Sequence, residues 1–410
     1  MSNKISLTSI VVFFTFVPFI KIPILTLETS AWAGIFAILL FIRYPNLLKS
    51  KYRINLLFFI GVSLTLYDWS HIGDIQYNIF YIKTVLSLLF GLMVFFVTIM
   101  YFHRINFRLV LGIIALWLLI GLLQITTFEN EVNHILEIIL TRSNSGGLDS
   151  YRGISLLANE SSYAAIYLVS FMILIDLMLI KGAINQNLSL AIKALLIITI
   201  LLTKSVNGVL LLATYFMLNV FFSENYIKRS FTGLFLFLLL FYILLEIGNE
   251  LNLRSVEIFL MALNSPDLLF NDESIFSRFS FIYIAYYGFF DNYFLPNGVG
   301  SYSYNWMELA TKLDMLGSYE VSRSFGKYMM PMSFIGGVAH DYGFIGLIFI
   351  FLLIFYPLLK NTDTAYNNYI RVSSFFVFFL WLQTCSYALP LPWFLLGVNH
   401  ALVATLYIKK

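Results

Sequence analysis

Long apolar runs recur along this chain, most of them close to the length that spans a bilayer, and that recurrence constrains the fold more than any other feature. A helix needs about 20 mostly apolar residues to cross the hydrocarbon core. The runs are Leu7–Leu27, Ala31–Leu47, Ile54–Leu66, Phe80–Tyr101, Phe107–Leu123, Tyr163–Ile180, Leu188–Leu202, Val206–Phe222, Phe231–Ile247, Tyr342–Leu359, Val372–Ala388 and Trp393–Ile408. They predict an all-α, polytopic integral membrane protein with about twelve transmembrane helices. Composition agrees, because only 11% of the 410 residues are charged and 60% are hydrophobic. A soluble domain carries roughly 25% charged residues to cover its surface. The first run follows Lys4 as a signal peptide would, yet no small-residue cleavage site precedes Lys21 and Pro23, so it reads as a retained helix.

Orientation comes from the basic residues. Lys4, the group Arg43, Lys49, Lys51 and Arg53, then Arg104 and Arg108, Lys181, Lys228 and Arg229, Lys360 and Arg371, and Lys409 and Lys410 fall on alternate connections. Cytoplasmic loops are the ones enriched in Lys and Arg, so both termini are expected in the cytoplasm. Residues 1–410 then form a single membrane domain with two long segments outside, Gln124–Ser162 (124–162) and Gly248–Asp341 (248–341). Neither segment alternates enough apolar residues for a soluble domain. Amphipathic surface helices such as Val132–Leu140 and Ser277–Phe290 are expected instead.

Several classes are excluded early. A net charge of +3 points to neither nucleic acid nor an acidic partner, and the single cysteine, Cys385, forms no disulfide within the chain. There is no internal repeat, no Gly-rich phosphate loop, no nucleotide fingerprint and no carboxylate pair of metal-ligand spacing. No metal and no cofactor are expected.

Chemistry is left to the outer segments. Arg152 and Arg278 sit in largely uncharged contexts where a loop returns to the membrane. A guanidinium there holds a phosphate through two parallel hydrogen bonds, or it snorkels as an interfacial anchor. Lys204, in the tight turn Leu202-Thr-Lys-Ser-Val-Asn-Gly208, has the same two readings. Glu160, in Ala158-Asn-Glu-Ser-Ser-Tyr163, is a candidate base or, with Asn159 and Ser161, a helix cap. His340 and Asp341 open the run at Tyr342, as a base with its carboxylate or as a cap and anchor.

Four places together resemble a family. Tyr151-Arg-Gly-Ile-Ser-Leu-Leu-Ala-Asn-Glu-Ser-Ser-Tyr163 is similar to an arginine–glycine segment leading into an acidic, serine- and tyrosine-containing helix start. Leu202-Thr-Lys-Ser-Val-Asn-Gly-Val209 is similar to a serine-containing turn. Ser277-Arg278 with Pro296-Asn-Gly-Val-Gly-Ser-Tyr302 resembles a serine–arginine helix and its glycine-rich turn, and Tyr342-Gly-Phe-Ile-Gly346 an aromatic–glycine helix entry. From Gln124 onward the chain resembles the polytopic O-antigen polymerases (Wzy) and the related O-antigen ligases. It departs from the ligases in placing His340 directly beside the late glycine pair, which favours polymerase.

The resemblance implies a GT-C-like membrane fold in the bacterial inner membrane and a metal-independent, inverting glycosyl transfer at its outer face. Donor and acceptor would be oligosaccharides on undecaprenyl diphosphate, and a chain-length regulator in the membrane is a further partner. Arg152, Arg278, Glu160 and His340 would be catalytic. Lys204, Arg323, Asn159, Tyr163 and Tyr302 would bind substrate, Tyr302 and Tyr304 by stacking on sugar rings. A ligase acting on lipid A core, and a polysaccharide flippase, remain the alternatives. Asp176 and Lys193 are the possible intramembrane charges that a flippase would use.

Overall fold

The computed structural model describes residues 6–21, 31–43, 50–126, 128–141, 153–223, 273–315, 331–360, 364–383 and 387–407, together with a few single positions. Among the described residues the secondary structure is helical, apart from one isolated bridge between Ile20 and Leu140. The helices are α1 (Leu7–Phe16), α2 (Trp32–Arg43), α3 (Ser50–Thr65), α4 (Ile75–Tyr101), α5 (Phe107–Gln124), α6 (Glu129–Ile139), α7 (Ser161–Ile180), α8 (Gln186–Leu202), α9 (Val206–Phe221), α10 (Glu273–Asp291), α11 (Ser301–Lys312), α12 (Phe334–Phe355), α13 (Thr364–Gln383) and α14 (Pro390–Tyr407).

Every apolar run overlaps a helix except Phe231–Ile247, which lies outside the described residues, although Leu7–Leu27 is helical over Leu7–Phe16 alone and residues 22–27, 44–47 and 384–386 also lie outside the described residues. Among the described residues, four helices are long and apolar enough to cross a membrane: Ile75–Arg104, Phe107–Gln124, Ser161–Ile180 and Phe334–Leu359. The others are shorter or less apolar than that standard, among them Leu7–Phe16 and Val206–Phe221.

Polar groups and close contacts, rather than the hydrophobic effect, hold helices together in lipid. α1 ends at Phe16, and its orphaned last carbonyls accept from neighbours: Trp117 Nε1 on α5 donates to Phe16 O at 3.0 Å, and Tyr167 Oη on α7 to Thr15 O at 3.2 Å. α4 lies against α14 where Gly91 meets the Trp393 indole, and a Cβ at Gly91 would sit 2.2 Å from Trp393 Nε1. α7 packs on α8, α9 and α13, with 78% of its apolar window buried, and is the central helix of its half.

Segments that the charge pattern assigns to one side meet one another. Lys21 N–H donates to Ile139 O (2.9 Å), Ile154 N–H to Leu202 O (3.2 Å) and Val299 N–H to Leu66 O (3.1 Å), all on the predicted outer side. On the other side the Lys181 ammonium lies 3.8 Å from the Phe102 ring centroid. Gln124, fully buried at the end of α5, ties down the first outer segment. Its Nε2 donates to Asn133 on α6 (2.8 Å), and its Oε1 accepts from Leu156 N–H (2.9 Å).

The second outer segment departs from expectation. α10 is not a surface helix lying on its own, since it forms a hairpin with α11 around a small core of Phe281, Ile284, Ala285, Tyr302, Trp306, Leu309 and Ala310. α12 begins at Phe334, capped by Ser333, so His340 and Asp341 lie inside a helix rather than opening one. That helix is broken at Gly343 (φ 63°, ψ −155°). The hydrogen bond from residue 344 to residue 340 is replaced by two others: Phe344 N–H donates to Phe294 O (3.0 Å), and His340 O accepts from Asn297 N–H (3.0 Å). A Cβ at Gly343 would meet Pro296 N at 2.6 Å. The hairpin tip therefore plugs the break, about 14 Å below the start of α12 at 1.5 Å per residue.

Candidate functional site

The two outer segments converge where α7 begins. Glu160 is the N-cap residue of α7, but its side chain makes no capping bond to the backbone. Instead Glu160 Oε2 accepts from Ser162 Oγ at 3.1 Å and lies 3.8 Å from Arg278 Nη2 on α10, which also donates to Ser162 Oγ at 3.4 Å. Arg278 is 34% exposed and Glu160 28%, so the cluster is open to a ligand. Contacts of 3.4–3.8 Å are loose for a guanidinium, which binds oxyanions at about 2.7–2.9 Å. The positive end of the α7 dipole adds to the attraction for an anion.

Around this point lie other predicted residues. Gly153, next in sequence to Arg152, sits on the α8–α9 turn, where a Cβ would meet Leu202 O at 2.6 Å. Lys204 occupies that turn in the left-handed region, φ 51°, and is half-buried. Asn159 is buried immediately before Glu160, and Tyr163 packs edge-on against Phe19 at 5.6 Å. Arg152 and Arg323 lie outside the described residues.

His340 and Tyr302 are not brought to this cluster. His340 touches α10 at Gly288, ten residues beyond Arg278 and hence about 15 Å along the helix axis. At 1% exposure its Nδ1 lies 3.1 Å from Asp341 Oδ1 and 3.3 Å from Ser301 Oγ. Asp341 accepts from the amides of Gly300 and Tyr302, both at 3.0 Å, and so caps α11 from below. That burial makes the pair a structural anchor for the hairpin. Tyr302 is buried too, its hydroxyl donating to Phe281 O at 3.0 Å, and burial pushes that hydroxyl well above its ordinary pKa. Its ring belongs to the hairpin core and is closed to a sugar.

A second ionic cluster lies toward the other end of α7. Asp176 is ion-paired with Lys193 of α8, and Tyr215 of α9 donates to Asp176 Oδ2 at 2.6 Å while accepting from Lys193 Nζ at 2.9 Å. Sequence reasoning noticed the two charges but missed Tyr215, which nothing in an apolar helix distinguishes from a packing residue. It also missed Ser162 and Gln124, although a glutamine closing an apolar helix is itself a signal. Among the described residues, no three of His, Cys, Asp and Glu gather as metal ligands would.

No protein-family model, no curated protein and no solved structure matches this chain.

Proposed function

We propose that the chain is an O-antigen polymerase of the inner membrane, with about twelve spans and both termini cytoplasmic, that transfers a growing glycan from undecaprenyl diphosphate to a lipid-linked repeat unit. The observation that carries this reading is the Glu160–Ser162–Arg278 cluster, in which the two long outer segments meet at the mouth of the helical domain. The mutual contacts of the outer loops support the topology. An apolar groove lined by Phe59, Leu92, Val338, Phe349 and Trp393 among others offers an isoprenoid tail a surface to lie against.

In this mechanism the acceptor hydroxyl attacks the anomeric carbon, a C–O bond forms, and the bond from that carbon to the diphosphate breaks with inversion. The diphosphate carries away the electron pair. Arg278 and the amides opening α7 stabilise the charge that develops on it, which is where fixed donors act most strongly. Diphosphate, a better partner for a planar fork than a single carboxylate oxygen at 3.8 Å, displaces Glu160 from Arg278. The released carboxylate then takes the proton of the acceptor hydroxyl.

The test is glycan analysis of a deletion strain complemented with Arg278→Lys and Arg278→Ala at matched membrane levels. Lipid A core bearing a single repeat unit is expected from both variants. Bare core with polymer left on the carrier would instead identify a ligase. Full-length chains from Arg278→Ala would remove Arg278 from the site.

One observation favours a second reading. The Asp176–Lys193–Tyr215 cluster sits within apolar helices, as charges on a transport path do. A flippase would strand single units at the inner face when the chain is deleted.

A further inference from the structure

We propose that the turn between α3 and α4, residues 66–74, together with Tyr304 of α11, is a binding subsite for a neutral sugar ring of the glycan. This rests on the reading above only for where the glycan comes from.

The turn gathers groups that recognise carbohydrate. Trp69 is 67% exposed, and its ring is fixed edge-on by Tyr67 at 5.1 Å and 73°. An indole held this way offers its electron-rich face to the C–H side of a sugar ring. On the same turn Asp68 Oδ1 accepts from Ser70 N–H and Oγ at 3.0 and 2.7 Å, while among the described residues Oδ2 has His71 Nε2, 3.6 Å away. Oδ2 is thus placed to accept from sugar hydroxyls. The Ser70 hydrogen bonds hold the Asp68 carboxyl below its ordinary value, so it is ionised at neutral pH. His71 packs between Tyr77 and Tyr304 at 5.0 and 4.9 Å, and Tyr304 is tied to Asp74 Oδ2. These ties preorganise the walls, which lowers the ordering cost of binding.

An interfacial aromatic belt is the competing account of Trp69. The Asp68 carboxylate caps the Trp69–His71 turn through Oδ1, but a belt has no use for its second oxygen or for the Tyr77 and Tyr304 rings packed about His71. Ile72 and Ile75, 63% and 76% exposed, already supply apolar anchorage here. The carboxylate also fixes specificity: like charge repels uronic and other acidic sugars. The subsite and Arg278 are carried by helices that touch, because Tyr304 and Tyr302 share α11, and Tyr302 bonds to Phe281, three residues from Arg278 on α10.

The test uses the full chain in nanodiscs and the repeat-unit oligosaccharide released by mild acid from the lipid-linked pool of the same cells, read by saturation-transfer NMR. Saturation of neutral-sugar ring protons is expected for the wild type. Trp69→Leu, which keeps apolar anchorage, should weaken binding by about tenfold. Asp68→Asn should admit free glucuronic acid, which the wild type rejects. Binding unchanged in Trp69→Leu, or no saturation in the wild type, overturns the proposal. Arg278→Ala separates the two readings: it should bind the oligosaccharide as the wild type does, and normal glycans from that variant would sink the polymerase reading while leaving the subsite standing.

Discussion

At its N-terminal end, the predicted outer one, α7 offers Glu160 and Ser162 to Arg278, and near its C-terminal end it offers Asp176 to Lys193 and Tyr215. Both sets contain an acid, a base and a hydroxyl, some 24 Å apart along one helix at 1.5 Å per residue. In both sets each member touches the other two, but the Asp176 set is the tighter: its Tyr215 contacts are 2.6 and 2.9 Å, and its ion-paired side chains are 19% and 24% exposed. In the Arg278 set the contacts are 3.1, 3.4 and 3.8 Å and the cation is a third exposed. A tight ring satisfies its own charges, which is what the hydrocarbon demands of any charge placed there. A loose ring has a cation able to change partners. Contact length, not residue type, separates a structural clasp from a candidate site.

The sharpest way to break the comparison is Arg278→Ala. Loss of a fixed donor to a developing anion costs about 2.7–4 kcal/mol of barrier, or roughly 10²–10³ in rate. Arg278→Lys should be nearly as inactive, since lysine lacks the second parallel hydrogen bond. Glycan chain length with matched protein levels reads both variants.

Next comes the inner clasp. Asp176→Leu leaves the Lys193 ammonium without its ion-pair partner in an apolar setting, an effect of about 2 kcal/mol seen as a lower thermal midpoint in detergent. Exchanging the pair, Asp176→Lys with Lys193→Asp, should recover most of it. Variants with unchanged stability but abolished glycan export would place the cluster on a transport path instead.

A smaller effect is expected at Ser162. Removing its hydroxyl in Ser162→Ala takes away two hydrogen bonds to charged groups, to Glu160 at 3.1 Å and from Arg278 at 3.4 Å, and because both are long the loss is about 1 kcal/mol, near fivefold. It should appear in KM more than in kcat, because the bond positions Arg278 before the donor arrives.

The smallest is a pH effect on a third acid–hydroxyl contact, that of Asp74 with Tyr304. Hydrogen bonds from Tyr304 and from the amides of Tyr77 and Gln76 hold Asp74 below its ordinary pKa of 3.8. A depressed carboxylate contributes stability above its unfolded pKa and loses it as pH falls through the folded one. The α4–α11 contact should therefore be constant across neutral pH and weaken only below about pH 4, and Tyr304→Phe should abolish that dependence, as hydrogen exchange at Tyr77 would report.

Sequence made the helices legible because crossing hydrocarbon fixes both length and composition of a segment, as in Phe107–Gln124 and Ser161–Ile180. Arg278 and Glu160 were legible because a charge in an uncharged stretch needs a reason. His340 and Tyr302 were misplaced because their surroundings are assembled from distant residues: Asp341 is satisfied by amides of Gly300 and Tyr302 about forty positions earlier. No periodicity in Phe334–Tyr342 signals that a hairpin will close over it. The start of α12 was hidden for the same reason, since the helix begins at Phe334, eight residues before the apolar run at Tyr342.

The interruption at Gly343 also makes two parts of the chain depend on each other. The Phe344 amide and the His340 carbonyl complete their hydrogen bonding through Phe294 and Asn297, and neither polar group is tolerated bare in hydrocarbon. The break in α12 is therefore satisfied where residues 292–297 dock against it. The segment that bears Arg278 is thus a structural requirement of the membrane helix that follows it.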